Sequence, residues 1–324
     1  MEEKQLLYSV IIPCYNAAGT IVRALDSIVL QNYSDWEVIC IDDCSKDNTA
    51  AIIRKYSEQH KDAKIRLLSN EKNCGPGVSR NNGIAVAQGE FLCFLDADDY
   101  YAKEFFTTIN ESITETDADV IFYGCNQVIG SNIRHRPIES YARREDYIAL
   151  VGGSFCGGVW RKRLWANIEI PAISNAEDIA VIPVLISKAS RVNAIPDCLY
   201  YYIHSNSSLS GNHKPQVSYN FVSSFHYTLQ HIDIDQYRNE VEFHGIKTVI
   251  YGSTLNAIKS GMNKNEILEL WSEFEQKFPK WKKNRYLSRY AKSKRIFVWL
   301  ASHRLFFALK LYTKLHQLIL IKIG

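Results

Sequence analysis

The chain has 324 residues, 46% hydrophobic and 23% charged, which suits a globular protein with a sizeable core and argues against a disordered or fibrous one. The net charge of +3 hides an uneven spread: residues 276–324 carry 13 Lys and Arg and no acid, so the preceding body stands at −10 and would repel a nucleic acid. Eight cysteines contain no Cys-x-x-Cys pair and several sit in apolar runs, which argues for buried reduced thiols and against a disulfide or zinc framework. The opening "MEEKQLLYSVIIPCYN" is acidic where a secretion signal is basic, and no charge-free run of about 18 apolar residues predicts a spanning helix.

In chain order, "LLYSVIIP" reads as a strand, "AGTIVRALDSIVLQ" as a helix, "WEVICID" as a strand and "NTAAIIRKYSEQH" as a helix. "AKIRLLS", "GPGVSRNNGIAVAQG", "EFLCFLD" and "ADVIFYGC" continue the alternation. Short connections between alternating elements predict an α/β fold: a Rossmann-like, mainly parallel sheet flanked by helices. Ligands of such sheets bind outside the carboxyl ends of the strands, which places "PCYN", "DDCSKDN" and "DADD" on one rim. After residue 130 the pattern loosens through the glycine-rich "GGSFCGGVWRKRLW", the capped helix "SNAEDIAVIPVLISKA" and the strand and polar turn "CLYYYIHSNSSLSG". From 215 onward the text is helical. The expected division is a catalytic domain over 1–214 and a helical C-terminal region over 215–324.

Asp96-Ala97-Asp98-Asp99 ends the strand "EFLCFLD". Three carboxylates in four residues repel one another unless a positive charge arrives, and hard oxygen donors suit Mg²⁺ or Mn²⁺. The alternative is a helix N-terminus, with Asp98 or Asp99 as the cap. Asp42 and Asp43 end the second strand, where a carboxylate either accepts from a ring N–H or ribose hydroxyl or caps a turn with Ser45 and Asn48. Tyr15, after Pro13, either stacks a base or is an ordinary turn tyrosine. Arg80 either bridges the acidic rim and a phosphate, as a guanidinium fork allows, or lies solvated at the surface. Glu177 and Asp178 open a helix, where one could be a general base or both could simply favour the dipole. His204 is a candidate metal or phosphate contact. There is no G-x-x-x-x-G-K-[ST], so a P-loop NTPase is excluded, and no G-x-G-x-x-G follows the first strand.

These motifs, in this order and spacing over about residues 7–210, resemble the family 2 inverting glycosyltransferases with the A-type nucleotide-sugar fold. The resemblance rests on "SVIIPCYNAAGTIVRALDSIVLQNYSDWEVICIDDCSKDNT", "GPGVSRNNGIAVAQGEFLCFLDADD" and "NAEDIAVIP". It implies that Pro13, Tyr15, Asn16, Asp42 and Asp43 bind the donor, with Arg80 helping to hold the nucleotide. It implies that Asp96, Ala97 and Asp98 form the Asp-x-Asp motif, with Asp98 the direct ligand of a divalent cation and Asp96, Asp99 and His204 around it. Asp178 matches the catalytic base, with Glu177 beside it. His204 lies where related enzymes close a loop over the diphosphate, and Trp160 falls in a "W-x-K" region near the acceptor. Many members carry Asn-x-Glu after the first strand; this chain has Asn16-Ala17-Ala18, so no Glu contact is expected there.

The implied function is transfer of a sugar from a UDP-sugar to a hydroxyl of a glycan or lipid-linked acceptor, by metal-assisted single displacement with inversion. A nucleotidyltransferase or hydrolase on a similar sheet and a non-catalytic binding module are the alternatives. The tail "RLFFALKLYTKLHQLILIKI" puts Arg304, Lys310, Lys314 and Lys322 in one arc, and Leu305, Leu309, Tyr312, Ile319, Leu320 and Ile323 opposite. Either that apolar side packs on the protein, or the tail contacts an anionic membrane surface. Nucleic acid is not an expected partner. The expected location is the cytoplasm, peripheral at the inner face of the membrane.

Overall fold

The computed structural model describes residues 8–204 and 213–323, with side chains to 315. The chain forms two compact units. The first comprises Met1–Arg144, Gly153–Asp178 and Leu185–Ser208; the second comprises Glu145–Gly152, Ile179–Val184 and Leu209–Gly324.

The first unit is built on a nine-stranded mixed sheet, with order β3-β2-β1-β4-β8-β6-β9-β5 and β7 hanging on β6. The strands are β1 (Tyr8–Cys14), β2 (Trp36–Asp42), β3 (Ile65–Ser69), β4 (Phe91–Phe94), β5 (Tyr100–Tyr101), β6 (Val120–Ile129), β7 (Asn132–Arg136), β8 (Gly158–Arg161) and β9 (Val192–Ile203). β1, β2 and β4 are almost wholly buried, as strands covered on both faces must be, and they read as apolar runs rather than alternations. The four strands β1 to β4 pair in parallel. Beyond β4 the sheet departs from the mainly parallel expectation: β8 pairs antiparallel with both β4 and β6, and β5 antiparallel with β9, while β6 and β9 are parallel. The reason is the chain order. β8 enters from a glycine-rich segment rather than from a crossover helix, so nothing obliges it to run with its neighbours.

The helices of the first unit are α1 (Ile21–Val29), α2 (Thr49–Gln59), α3 (Pro76–Val86) and α4 (Phe105–Thr116), while α5 (Arg144–Leu150) falls almost wholly to the second unit and α6 (Glu177–Lys188) is divided between the two. In α1, Ile21, Ala24, Leu25 and Ile28 are buried, the i, i+3, i+4, i+7 stripe expected of a helix laid on a sheet. Gly75 precedes α3 at φ +86, a conformation that side-chain-bearing residues rarely adopt, and Pro76 opens the helix where no N–H is needed.

The second unit is helical, with α7 (Pro215–His231), α8 (Arg238–Gly245), α9 (Thr254–Lys259), α10 (Lys264–Lys277), α11 (Lys292–Ser302) and α12 (Phe306–Ile323). A π-helical stretch, Ile246–Ser253, joins α8 to α9. Phe225, Trp271, Phe274, Phe278 and Trp281 are buried and form its aromatic core. Asn263 and Glu266 form a reciprocal capping box at the start of α10. The projection of the tail needs correction. Leu309 is buried and Phe306 stacks on Trp271, whereas Leu305, Phe307, Leu311 and Leu315 are exposed. The side chains of Ile319, Leu320, Lys322 and Ile323 lie outside the described residues. Among the described residues, no helix is long and apolar enough to cross a membrane. All eight cysteines are unbridged, and only Cys44 is exposed.

Candidate active site

The register of the parallel strands builds the rim. Cys14 stands beside Asp42, Asp42 beside Ser69, and Ile11 beside Phe94. The turns after β1, β2 and β4 therefore emerge side by side. Backbone bonds continue the alignment: Asp43 N–H donates to the Cys14 carbonyl at 2.8 Å, and Leu95 N–H to that of Ile11 at 3.1 Å.

The turn after β1 is knitted to the turn after β2. Asn16, at φ +52, donates its N–H to Ser45 Oγ at 3.0 Å, and its side-chain oxygen accepts from Lys46 N–H at 2.8 Å. Ala17 N–H donates to Thr49 Oγ1 at 2.7 Å. The amide oxygen of Asn16 is thus engaged in shaping the turn. Pro13 is half-buried, and Tyr15 is 45% exposed, leaving its ring available at the rim.

Asp43 is buried and serves the next loop. Its oxygens accept from the Asn70 amide at 2.7 Å, Cys74 N–H at 2.9 Å and Gly75 N–H at 2.8 Å. A carboxylate that accepts several N–H bonds is a structural clamp, and the turn that needs Gly75 is fastened by it. Asp42 is also buried, but its Oδ1 has no hydrogen-bond partner in the structure. An orphaned buried carboxylate oxygen is costly unless a donor reaches it.

Arg80, on α3, is the hub. Its side chain is buried, and it donates to Asp96 Oδ1 at 2.8 Å and to Glu177 Oε1 at 3.0 Å. It also lies over the Phe155 ring at 5.7 Å. Burial opposes its charge, but Asp96, Cys156, Glu177 and Asp178 outweigh that, and its pKa moves further up. The guanidinium fork does bridge the acidic rim, as its chemistry allows. Its second partner is a carboxylate, not open solvent where a phosphate would sit. Glu177 is buried in this pair. Asp178, next to it, is half-buried and lies within electrostatic reach of Arg80.

The Asp-x-Asp turn divides its carboxylates by task. Asp99 is fully buried and accepts from Tyr200 Oη–H at 2.6 Å and Ile203 N–H at 2.7 Å. Burial, then the Asp96 charge, push its carboxyl up to about 8. It fastens the end of β9 to the floor of the site. Tyr200 also accepts from Asp96 N–H at 3.3 Å. Asp98 keeps exposed surface yet sits in a crowded turn: desolvation raises its carboxyl, and the charge of Asp96 adds to it. Ala97 is buried beneath them. The Arg23 guanidinium donates to the Asp98 carbonyl and lies 5.4 Å over the Tyr100 ring.

His204 is exposed, with its N–H on the Val128 carbonyl at 2.9 Å and its ring against Tyr202. The loop it was expected to close lies outside the described residues. Among the described residues, no three His, Cys, Asp or Glu side chains converge as a metal site. The donor set that remains, Asp98 with the Asp96 oxygen not facing Arg80, is two hard carboxylates short of positive charge. That fits a divalent cation whose other ligands come from a diphosphate and water. Trp160 is fully buried: its indole N–H donates to the Phe155 carbonyl at 3.1 Å and its ring packs on Phe122 and Trp165. It is a core residue of β8 and presents no surface to an acceptor. Beside it, Lys162 donates to the Ala87 carbonyl at 2.5 Å, so the "W-x-K" segment holds the sheet together.

Sequence reasoning missed Tyr200, Arg23 and Asn70. The run of tyrosines in "CLYYYIH" is the signal for the first, since a strand must turn alternate rings inward. No local signal marks the other two.

Residues 9–164 match the family model described as Glycosyl transferase family 2. The putative teichuronic acid biosynthesis glycosyltransferase TuaG of Bacillus subtilis is 30% identical over 211 residues, which cover 64% of this chain and 82% of TuaG. The poly(ribitol-phosphate) beta-N-acetylglucosaminyltransferase TarS of Staphylococcus aureus is 29% identical over 206 residues, 60% of this chain; the match spans 35% of TarS, about a third of that longer protein. A crystal structure of a TarS fragment with UDP-GlcNAc superposes with a TM-score of 0.73 at 21% identity, covering 96% of this chain and 92% of that one. The mannosyltransferase PcManGT of Pyrobaculum calidifontis, solved with GDP-Man and Mn²⁺, gives 0.59 at 16% identity, covering 98% and 88%. Both show the same fold.

Proposed function

The chain belongs to the family 2 glycosyltransferases, and from that premise we propose that it moves a sugar from a UDP-sugar to a hydroxyl of a glycan or lipid-linked saccharide, with inversion, in assembly of a bacterial surface polysaccharide. The observation that supports this reading most is Arg80. One buried guanidinium ties Asp96 of the Asp-x-Asp turn to Glu177, the neighbour of Asp178 at the start of α6, so the acidic turn and the first turn of that helix are held by one side chain.

The roles follow from what each group has left to offer. Tyr15 gives an exposed ring for the uracil, and the buried Asp42 Oδ1 is an unpartnered acceptor that a base N–H or ribose hydroxyl would satisfy. Asp96 and Asp98 would hold the divalent cation, Mn²⁺ or Mg²⁺, which when bound supplies positive charge against the departing diphosphate. Asp178 accepts the proton of the acceptor hydroxyl. That oxygen forms the new bond to the anomeric carbon as the bond to the diphosphate oxygen breaks, and UDP leaves with the electron pair. A single displacement from the opposite face inverts the centre. The cationic C-terminal region supports a peripheral location at the inner face of an anionic membrane.

The test is incubation with a panel of UDP-sugars, Mn²⁺ and candidate acceptors, with products identified by mass and NMR. A β-glycoside from an α-linked donor supports the reading; a phosphosugar or free sugar alone refutes it. Asp178→Asn should lower transfer about a hundredfold or more while UDP binding persists. Normal turnover in that variant would move the base elsewhere.

A further inference from the structure

The second unit contains a cleft of about 620 Å³ between the segment 281–288 and α11. That volume lies in the range of small-molecule sites. Its apolar wall is Trp281, Leu287, Val298 and Trp299, and Lys292 and Arg295 also line it. On α11, Lys292, Arg295, Ile296 and Trp299 are all exposed at i, i+3, i+4 and i+7 spacing, so one helical face carries two cations and then two apolar groups. A cleft of this composition suits an amphiphile with an anionic head.

The charges of this region are not equivalent. Arg285 is paired with Glu240 at 2.5 Å, Arg304 with Glu275 at 2.5 Å, and Arg289 faces Asp146 at 3.5 Å. Lys294 lies over the rings of Tyr251 and Tyr290. Lys292 and Arg295 have no ion pair among the described residues, and no acid follows Glu275 to answer them. Uncompensated cations beside an apolar slot recognise an anion joined to a hydrocarbon more than a free anion. α12 adds a second exposed apolar row, Phe307, Leu311 and Leu315, at i, i+4 and i+8, with Lys310 and Lys314 exposed beside it. Phe307 is 85% exposed, an unusual cost for a phenylalanine that only water touches.

We propose that this cleft binds the phosphate headgroup of an anionic membrane phospholipid, with Lys292 and Arg295 on the phosphate, and the apolar wall, Trp299 included, against the glycerol and upper acyl chain. The inference deepens the membrane reading above and rests on it. It gives the C-terminal unit a specific lipid seat rather than a diffuse electrostatic attraction.

The full-length protein is mixed with vesicles of phosphatidylcholine alone, vesicles equimolar in phosphatidylglycerol, and monomeric dihexanoyl-phosphatidylglycerol below its micelle concentration. Sedimentation reads vesicle binding. Tryptophan emission, with Trp299→Phe as reference, reads the cleft. Wild type should bind anionic vesicles, ignore neutral ones, and shift its Trp299 emission with the soluble lipid. Lys292→Glu/Arg295→Glu should weaken both responses about a hundredfold. Phe307→Ser/Leu311→Ser should weaken only vesicle binding. Thermal melting of each variant checks folding, and unaltered melting is expected because the substituted side chains are exposed. If Lys292→Glu/Arg295→Glu binds anionic vesicles and soluble lipid as wild type does, the lipid seat is overturned while the membrane reading stands. If inorganic phosphate or a single-stranded DNA competes as well as the lipid, the lipid seat is likewise overturned, and if wild type ignores anionic vesicles at low salt, both are overturned.

Discussion

Replacing Arg80 by Met separates two readings of this residue, nucleotide holder and structural hub. The side chain of Arg80 is 8% exposed, that of Glu177 10% and that of Asp96 39%. Methionine fills most of the space but leaves Glu177 without its cation in a site water barely reaches. Asp96 can turn to solvent, so its loss is small. Breaking a buried pair by removing one partner costs about 3–5 kcal/mol, and only one of the two partners here is trapped, so about 3 kcal/mol is expected. For a domain of this size that lowers Tm by roughly 6–12 °C. Adding Glu177→Gln should recover much of the loss, because the trapped charge is then gone. Thermal unfolding of wild type, Arg80→Met, Glu177→Gln and the double variant forms a closed cycle. An Arg80→Met protein that melts within about 1 °C of wild type yet binds UDP poorly would refute the hub and restore the nucleotide contact.

Asp98→Ala should leave melting unchanged or slightly raised, since it relieves repulsion by Asp96, while Mn²⁺-dependent stabilisation by UDP disappears; calorimetric titration with and without Mn²⁺ checks this. Asp43→Ala frees the Asn70, Cys74 and Gly75 donors together and should cost about 2–4 kcal/mol in urea unfolding. His244 is buried, and burial, then Lys247, hold its imidazole down to about 3. Between pH 6.5 and about 3 the unfolded chain therefore binds a proton that the folded chain refuses, so stability is lost as pH falls below 6.5. From pH 6 to 4.5 wild type should lose about 2 kcal/mol more than His244→Gln, and parallel acid limbs for the two proteins would contradict the assignment.

Periodicity made the first half of the fold legible, because strands buried on both faces and an amphipathic α1 each leave a local pattern. The antiparallel β8 left none: its direction is decided by where the preceding segment comes from. The acidic motifs were visible, but their division of labour was not. Asp98 and Asp99 are adjacent and chemically identical, and only Tyr200 and Ile203, about a hundred residues away, decide that one is a strut and the other faces solvent. Asp43 was visible at a strand end, yet the donors that occupy it come from residues 70–75. The burial of Trp160 was not legible either, because it depends on the insertion of β8 between β4 and β6. The tail's helical period was correct, but which arc faces inward depends on Trp271 and the ring of Phe306.

The links that hold the rim together are long in sequence. Arg80 meets Glu177 across 97 residues, Tyr200 meets Asp99 across 101, and Ile203 meets Asp99 across 104. Closing such loops comes late in folding, after local helices and adjacent strands have formed. A nascent or partly folded chain thus has the β1 and β2 turns but no assembled binding rim. Nucleotide would then find nothing to hold before the folding barrier is crossed, and its stabilisation would appear as slower unfolding at an unchanged refolding rate. For the cell, a bound nucleotide would then be a preservative of finished protein and not an assistant in making it.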